Sequence, residues 1–525
     1  MENEERGTKN ELFFPLTINH ASIEHAFMNA HPTKEQLAAE AARRLQAIDA
    51  RTEPLKPKDR VKIPVQAMPA QDPAVRRGNI AEVAVGYSPE QARLEALRCL
   101  QCKNAPCVAG CPVRIDIPAF VRAIAEGQVK QAIDIIKRNS LLPSVCGRVC
   151  PQEVQCQAPC TVGRTLKDVG QAVAIGRLER FAADWERAQG VADIPPIKPP
   201  TGKKVAVIGS GPAGITVAAD VRREGHAVTL FEAFHKPGGV MVYGIPEFRL
   251  PKLIVQKEID TLTAMGVKLV TNFVVGRTRA LRDLLDKDGF DAVFIGVGAG
   301  LPKFMNIEGE NLVGVFSANE YLTRANLMRA YDFGRAQTPI FRSHKVAVLG
   351  GGNVAMDSAR MAVRLGAQEV RLVYRRTEVE MPARVEEVAH AKEEGVVFHM
   401  LQNAKRILGD EQGCVTGMEC LKYQLGEPDA SGRRRPVEIP GSEFVMPVDT
   451  VIVAIGNESN PLIKQTTTGL ATDKWGHIIV DADGKTSLER VYAGGDIVLG
   501  AATVILAMGE GRRAAASINR LLANA

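Results

Sequence analysis

Eight of the ten cysteines lie within a stretch of 62 residues and form two sets of four. The sets are Cys99-x2-Cys102-x4-Cys107-x3-Cys111-Pro112 and Cys146-x3-Cys150-Pro151-x4-Cys156-x3-Cys160. Cysteines at such short spacings are typical ligands of [4Fe–4S] clusters, and in bacterial ferredoxins the cysteine before a proline ligates the other of two clusters. The spacing therefore predicts bound iron, and each Cys-Pro pair has the form of that crossing ligand.

The same cysteines allow other interpretations. The middle gap of the first set is four residues, whereas the ferredoxin motif has two. The set therefore shares the close cysteine spacing and the final Cys-Pro of that motif but not its exact spacing. Two structural zinc sites are one alternative, because tetrahedral zinc also uses closely spaced cysteines. A disulfide framework is another, although a reducing compartment disfavours it. Cys414 and Cys420 lie outside both sets and are interpreted as ordinary thiols.

A glycine-rich turn follows the cysteine region in the string KVAVIGSGPAG. An apolar strand precedes Gly209-x-Gly211-x-x-Gly214, and glycines at these positions let a pyrophosphate approach the positive end of the next helix. Glu232 ends the following strand, 23 residues after Gly209, where a carboxylate accepts hydrogen bonds from ribose hydroxyls. The pattern predicts a dinucleotide site.

Near the C-terminus, Gly494-Gly495-Asp496 lies between a short apolar strand and a helix. An aspartate in this position suits the sugar-like chain of a flavin, and the helix start would face its phosphate. Gly495 and Asp496 therefore join the first turn as candidates for an FAD site. A purely structural turn is the alternative.

A second glycine-rich turn, Gly350-x-Gly352-x-x-Ala355, occurs in KVAVLGGGNVA and includes the further candidate Asn353. Its next strand, EVRLVYRR, ends in Arg375 and Arg376 with no acidic residue at the tip. Arginines at this point suit a 2′-phosphate, which favours NADP(H) over NAD(H). The alternative is that these arginines are only the solvated, basic end of a strand.

Several enzyme classes are disfavoured. None of the nine histidines falls into a Ser/His/Asp or metal-hydrolase arrangement, and the second nucleotide segment has no Cys-x-x-Cys of the disulfide-reductase kind. Hydride transfer needs no protein base, because the cofactor carries the chemistry and the protein positions it. We therefore predict cofactor-binding residues and no catalytic side chain.

The predicted fold is α/β: a helical domain for two [4Fe–4S] clusters, followed by two Rossmann-like nucleotide domains. The NAD(P) domain is predicted to be inserted in the FAD domain. The expected segments are an N-terminal extension (1–88), the iron–sulfur domain (89–195), the FAD domain in two parts (200–315 and 457–525) and the NADP(H) domain (335–456). Within the extension we expect a helix, followed by a proline-rich, basic stretch of extended chain that lies on a surface.

Net charge and apolar content limit the classes of partner and the location that we expect. The formal net charge of +6 is small for 525 residues, so nucleic acid is not indicated, while a mildly basic patch for an acidic electron partner is compatible with it. No run of 18 apolar residues is present, so we expect no membrane span, and the first residues have no secretory pattern. The expected location is the cytoplasm.

Together these residues resemble the FAD- and iron–sulfur-containing small subunit of NADPH-dependent glutamate synthase. Relatives of that family include the large subunit of the bifurcating NADH-dependent ferredoxin:NADP oxidoreductase and the N-terminal half of dihydropyrimidine dehydrogenase. The resemblance covers about residues 68–525 and rests on the strings RCLQCKNAPCVAGCPV, CGRVCPQEVQC, VAIGRLERF, GGVMVYGIPEFRLPK, YRR followed by EMPA, and VYAGGDIVLGAATVILAMGEGRRAA. Gly239, in the fourth string, is a further cofactor-binding candidate.

The resemblance also implies a ligand map. One [4Fe–4S] cluster is expected on Cys99, Cys102, Cys107 and Cys160. The second is expected on Cys111, Cys150 and Cys156, with Glu179 of the VAIGRLERF helix as a fourth, non-cysteine ligand. Cys146 is then a spare thiol, and it is the natural substitute if Glu179 is only a surface glutamate.

The implied function is that of an electron-transfer flavoprotein subunit in a hetero-oligomer. It exchanges hydride between NADP(H) and FAD and passes single electrons to or from another oxidoreductase subunit or a ferredoxin. The partner could be of the glutamate synthase, bifurcating or 2-oxoacid:ferredoxin oxidoreductase type. Two alternatives are a stand-alone NADPH-dependent reductase and a cluster-bearing assembly scaffold.

Overall fold

The computed structural model describes residues 32–190, 194–429 and 432–524. The first 31 residues of the expected N-terminal extension, and the first three residues of the linker string VADIPP, lie outside the described residues. Among those described, no helix is long and apolar enough to cross a bilayer.

Between residues 32 and 190 the regular elements are helices, and local sequence sets their ends. Ser88 caps one helix through a capping box with Gln91, and Pro89 occupies its first turn. Gly127, at a φ of +76°, separates two helices that the sequence predicts as one run broken there. The helices are α1 (Lys34–Asp49), α2 (Pro57–Arg60), α3 (Pro73–Arg76), α4 (Pro89–Ala96), α5 (Pro106–Ala109), α6 (Ile117–Ala125), α7 (Val129–Lys137), α8 (Pro143–Val149), α9 (Thr161–Leu166) and α10 (Ile175–Ala188), with 3₁₀ turns at Gln152–Val154 and Val169–Gln171.

The first nucleotide unit is a parallel sheet of order β16-β4-β1-β2-β3. The strand β1 is buried over its last four residues, as expected when helices cover both faces of a parallel sheet. Its elements are β1 (Lys204–Ile208), α11 (Pro212–Arg223), β2 (Ala227–Phe231), α12 (Val240–Tyr243), α13 (Lys252–Ala264), β3 (Lys268–Val270), α14 (Leu281–Asp286), β4 (Ala292–Ile295), α18 (Pro461–Thr466), β16 (Val491–Ala493), α19 (Asp496–Leu499) and α20 (Val504–Ala523).

The second unit is a parallel sheet of order β6-β14-β7-β8-β9. It contains β6 (Val315–Ser317), α15 (Ala318–Asn326), β7 (Lys345–Leu349), α16 (Asn353–Arg364), β8 (Glu369–Tyr374), a 3₁₀ turn (Glu378–Glu380), α17 (Val385–Glu393), β9 (Val397–Met400) and β14 (Thr450–Val453). An antiparallel sheet is appended, formed by β10 (Gln402–Gly409), β11 (Val415–Pro428), β12 (Arg434–Glu438) and β13 (Phe444–Met446).

The predicted fold class is confirmed, including the insertion. The strand β16 pairs with β4 and so returns the C-terminal segment to the first sheet, after the chain has completed the second. The two crossings between the units run side by side as an antiparallel pair, β5 (Leu301–Pro302) with β15 (Asn457–Glu458). Because β6 pairs with β14, the second sheet takes in residues up to 20 positions before the expected start of the NADP(H) segment.

The proline-rich stretch of the extension differs from the expected extended surface chain. It forms α2 and α3 and buries Arg76 completely. The Nε of Arg76 donates to Glu394 at 2.9 Å, 318 residues away in sequence, and its Nη2 donates to Glu393. A fully buried guanidinium needs such partners, and the sequence around Arg76 does not predict which residues they are.

Glu394 is the centre of a buried ion cluster. Besides Arg76, its carboxylate pairs with Arg360 at 2.7 Å and with Arg364 at 2.6 Å, and both of these arginines stack on Phe248 of the first unit. Burial alone would raise the pKa of Glu394, but the charges and hydrogen bonds of Arg360 and Arg364 outweigh it and hold the pKa well below its ordinary value. The cluster therefore joins the extension and both nucleotide units.

We expect Glu394→Gln to lower the free energy of unfolding by about 3–5 kcal/mol, because it leaves three buried guanidiniums without their shared anion. The matched control is Glu411→Gln, at an exposed loop position. Denaturant unfolding of the two variants measures the difference. Equal midpoints for both variants would mean that the cluster contributes little.

Candidate cofactor-binding sites

The four sulfurs that the family resemblance assigns to the first cluster, called the first set from here on, surround one pocket. Cys99, Cys102, Cys107 and Cys160 line it together with apolar side chains of α6 and of the segment before α10. Burial, followed by the charges of the neighbouring sulfurs, raises the pKa of Cys99 to about 11 and that of Cys107 to about 12. Thiols held protonated in this way bind through the thiolate once a cation is present.

The residues that the resemblance assigns to the second cluster, called the second set from here on, also converge: Cys111, Cys150, Cys156 and Glu179. Burial, followed by the charges of Cys111 and Glu179, raises the pKa of Cys156 well above its ordinary value, and Glu179 and Cys156 act on Cys150 in the same direction. The charge of Cys107 also acts on Cys156, so the two sets adjoin. The structure thus brings together the residues that the sequence assigns to each set.

Glu179 lies on the buried face of α10, and its Oε1 has no hydrogen-bond partner among the described residues. Burial raises its pKa to about 8. A buried carboxylate without a partner is costly, and metal ligation is one of the few ways to compensate it. The unsatisfied oxygen therefore fits a cluster ligand.

Cys146 remains close to the same place. Its Sγ lies 3.6 Å from the Sδ of Met508, and both side chains are buried. The hydrogen bond with Cys150 raises the pKa of Cys146, as does burial. The geometry thus keeps both candidates for the fourth ligand.

No disulfide forms, and all ten cysteines are free. Among the described residues, no group of three or more His, Cys, Asp or Glu side chains is close enough to share a single metal ion. In a [4Fe–4S] cube each thiolate binds its own iron, so the ligands stand farther apart than around one ion. The sulfurs present fit such cubes.

The first glycine turn joins β1 to α11. Gly209 has a φ of +96°, and a Cβ there would lie 2.5 Å from the carbonyl of Gly296, while one on Gly214 would lie 1.9 Å from the carbonyl of Gly209. A Cβ on Gly211, by contrast, would meet no atom within 4 Å. Gly209 and Gly214 thus shape the turn, and Gly211 faces the open space that a pyrophosphate would fill.

Glu232 is buried at the end of β2 and is held by the same turn. Its carboxylate accepts hydrogen bonds from the backbone N and the Oγ of Ser210, and from the backbone N of Phe234 at 2.8 Å. A carboxylate has about four acceptor positions, so one remains for a ribose hydroxyl.

The remaining FAD candidates pack onto this turn. A Cβ on Gly239 would lie 2.8 Å from the Cα of Gly211, and one on Gly495 would lie 3.0 Å from the Cβ of Ala213. Burial raises the pKa of Asp496 to about 6. Tyr243, which the sequence did not single out, lies near both acidic candidates. Burial, followed by the charges of Asp496 and Glu232, raises the pKa of Tyr243 to about 12.

The second glycine turn repeats the geometry. Gly350 has a φ of +142°, and a Cβ there would lie 2.3 Å from the carbonyl of Ala454, whereas one on Gly352 would come no closer than 3.9 Å to Pro382. Asn353 accepts a hydrogen bond from the backbone N of Arg384 at 3.0 Å, which turns its carbonyl oxygen away from a ligand.

The two arginines at the end of β8 have different environments. Arg375 is exposed, whereas Arg376 is buried and donates to the carbonyl of Arg434 at 2.7 Å and to Asp429 at 3.1 Å. Only Arg375 is therefore free to approach a phosphate without breaking existing hydrogen bonds.

Helix α20 connects the cysteine region with the FAD turn. A Cβ on Gly511 would lie 2.7 Å from the carbonyl of Ala213 in α11, and one on Gly509 would lie 3.1 Å from the carbonyl of Pro112, next to Cys111. At the start of the helix, Thr503 lies 3.4 Å from Gln155, between Cys150 and Cys156. Small residues thus let one helix touch both sites, a role that the sequence alone did not suggest.

Comparisons with known proteins decide the family. The iron–sulfur family described as dihydropyrimidine dehydrogenase domain II, 4Fe-4S cluster, matches residues 76–191, and the pyridine nucleotide-disulphide oxidoreductase family matches residues 203–511. The glutamate synthase [NADPH] small chain of Halomonas elongata is 37% identical over 86% of this chain and 95% of its own length. The chain belongs to the glutamate synthase small-chain family.

Other members of this family carry further segments. The NADPH-Fe(3+) oxidoreductase subunit beta of Geobacter sulfurreducens is 41% identical over 80% of this chain and 64% of its own length. The NADP(+)-dependent formate dehydrogenase subunit beta of Moorella thermoacetica is 40% identical, over 80% and 60% respectively. The chain therefore spans somewhat less than two thirds of these two relatives.

Among solved structures, Mycobacterium tuberculosis FprA in complex with NADPH superposes with a TM-score of 0.52 at 20% identity, covering 62% of this chain and 85% of FprA. This likeness confirms the fold of the paired nucleotide units. As a glutamate synthase small-chain family member, the chain is an oxidoreductase whose cofactors are FAD, NADP(H) and [4Fe–4S] clusters.

We expect Arg375→Ala to raise KM for NADPH about tenfold or more and to leave KM for NADH unchanged, since a charge-assisted hydrogen bond contributes about 1.5–3 kcal/mol. Lys464→Ala, at an exposed position of α18, is the control. Steady-state dye reduction with each nucleotide measures the effect. A parallel rise for both nucleotides would exclude a contact with the 2′-phosphate.

Proposed function

We propose that this chain is an electron-transfer subunit that exchanges hydride between NADP(H) and FAD and passes single electrons through two [4Fe–4S] clusters to a partner protein. The observation that carries this proposal is α20, which packs against α11 of the FAD turn and against Pro112 and Cys146, the neighbours of Cys111 and Cys150 in the second set. The flavin site and the cysteine region thereby share one rigid element.

The relative burial of the two sets supports a direction outward from the flavin. Cys111 and Cys150 of the second set are buried, and Pro112, next to Cys111, contacts α20, whereas Cys99, Cys102 and Cys107 of the first set are each partly exposed. The two sets adjoin through Cys107 and Cys156, and the first set is the more exposed of the two. We infer that the second cluster exchanges electrons with the flavin and the first with the partner.

The chain's own residues supply binding and orientation. Gly211 and Gly352 leave room for the two pyrophosphates, Glu232 and Asp496 would hold the sugar hydroxyls of the flavin nucleotide, and Arg375 would hold the 2′-phosphate of NADP(H). Bound FAD accepts electrons in pairs from a nicotinamide and releases them singly, which suits it to serve [4Fe–4S] clusters. Cys146 and Met508 fill the space between α8 and α20 and exclude water from it.

The names of the relatives indicate the kind of partner. Relatives named as a small chain or a subunit beta imply an assembly with another polypeptide, such as a glutamate synthase, a formate dehydrogenase or a ferredoxin-linked oxidoreductase. We place the hetero-oligomer in the cytoplasm, where ten free cysteines would stay reduced.

An anaerobic pull-down of the tagged chain from its host, with mass spectrometry and a parallel NADPH and NADH reduction assay, tests the proposal. We expect a second oxidoreductase in fixed proportion and flavin bleaching that is faster with NADPH. A chain that comes out without flavin, or that no nucleotide reduces, would refute the proposal.

A further inference from the structure

Cationic side chains surround the first cysteine set. They lie in three segments: around α2, in the loop after Cys102, and along α9, which begins directly after Cys160. These segments hold eight cationic residues and three acidic ones: Arg51, Lys56, Lys58, Arg60, Lys62, Lys103, Arg164 and Lys167 against Glu53, Asp59 and Asp168.

Hydrogen bonds hold the three segments together around the sulfurs. The guanidinium of Arg60 donates to the carbonyl of Cys99 at 3.2 Å, which places α2 beside the first ligand. Arg98 binds the carbonyls of Ile63 at 2.9 Å and Gln171 at 2.6 Å, so the segments after α2 and after α9 meet at one buried side chain. Thr161, the first residue of α9, lies 3.3 Å from the Sγ of Cys102.

The three acidic residues are already engaged. Glu53 pairs with Lys56 at 2.9 Å, Asp59 pairs with Arg51 at 3.4 Å, and Asp168 accepts from the backbone N of Gly170 at 2.8 Å.

Five exposed cations form no ion pair among the described residues, and we call them the cationic face: Lys58, Lys62, Lys103, Arg164 and Lys167. Leu166, on α9 between two of them, is 40% exposed and adds an apolar contact point. The face therefore combines unneutralised positive charge with the more accessible of the two cysteine sets.

We propose that the cationic face docks a small acidic protein that carries a one-electron iron–sulfur centre. Complementary charge steers such a carrier and orients its centre towards the first cluster, while a small contact area lets it leave after each electron. Two reduced carriers, one NADP⁺ and one proton give two oxidised carriers and one NADPH, so electrons and charge balance. This inference rests on the proposed function.

The test uses the whole protein and a dithionite-reduced, acidic plant-type [2Fe–2S] ferredoxin as the probe, with NADPH formation as the readout. Reversing three charges (Lys103→Glu, Arg164→Glu and Lys167→Glu together) is expected to lower kcat/KM for the ferredoxin at least tenfold at low salt. The difference should nearly vanish in about 0.5 M salt, where charges are screened within a few ångströms. Reduction of a basic cytochrome c by NADPH should become faster.

The matched control reverses three exposed cations of the first nucleotide unit, outside the cationic face, Lys257→Glu, Lys268→Glu and Lys464→Glu, and should leave both probes unchanged. Iron content, and NADPH reduction of a small neutral quinone, should match the wild type in every variant. An equal ferredoxin rate in the reversed and control variants would overturn the docking inference and leave the proposed function intact. A wild-type protein that transfers electrons to neither probe would instead refute the proposed function.

Discussion

Gly211→Val is expected to give a folded protein that retains its iron but loses most of its flavin. A Cβ at this position would meet no protein atom within 4 Å, so a side chain there does not strain the turn and instead takes the space that a pyrophosphate requires. Since the cysteine region forms its own helical domain, we expect about eight irons per chain to remain. Flavin absorbance and iron analysis of the purified protein measure both quantities.

Gly352→Val is the matched counterpart in the second turn, where a Cβ is similarly unobstructed. It should retain flavin and iron, and the concentration of NADPH that half-saturates flavin bleaching should rise at least about tenfold, since the dinucleotide phosphates lose their close contact. Each variant is the control for the other. Loss of flavin from both, or from neither, would contradict the assignment of one dinucleotide to each turn.

Glu179→Ala is the second change with a large expected effect. If the unpartnered Oε1 is a cluster ligand, the variant should lose the second cluster, and iron should fall from about eight to about four per chain. Flavin should remain, because no residue of the first glycine turn changes. Iron and sulfide analysis, with the electron paramagnetic resonance spectrum of the dithionite-reduced protein, counts the clusters.

Cys146→Ala is the comparison that separates the two candidate ligands. Its thiol lies against Met508 and hydrogen-bonds with Cys150, and we expect the variant to keep about eight irons. The reverse pattern, with iron lost from Cys146→Ala and kept by Glu179→Ala, would make Cys146 the ligand and Glu179 a buried but unbound carboxylate.

The sequence predicted the features that short-range patterns encode. Cysteine spacing, glycine turns and apolar strands each specify a local backbone, so the helical domain and the two parallel-sheet units, the second inserted in the first, could be predicted in their order along the chain. The break at Gly127 was predictable for the same reason, since a glycine at positive φ ends a helix.

Contacts between distant segments were not predictable. The sequence predicted a surface position for Arg76. In the structure it is buried against Glu393 and Glu394, which lie more than 300 residues later in the chain. Neighbouring residues of the same type also differ in environment. Arg375 is exposed to solvent, whereas Arg376 donates a hydrogen bond to the carbonyl of Arg434 in the antiparallel sheet. The bridging role of α20 depends on which neighbours Gly509 and Gly511 meet, and that is a property of packing.

The central claim is that the nicotinamide site and the clusters exchange electrons within one chain. We would reduce the anaerobic protein fully with dithionite, remove the excess, and mix it with a large excess of NADP⁺ while following absorbance at about 340 nm and in the cluster band. The account predicts about two NADPH per chain, one from the flavin and one from the two clusters, with the clusters reoxidised at the same time. About one NADPH per chain, with the clusters still reduced, would contradict it.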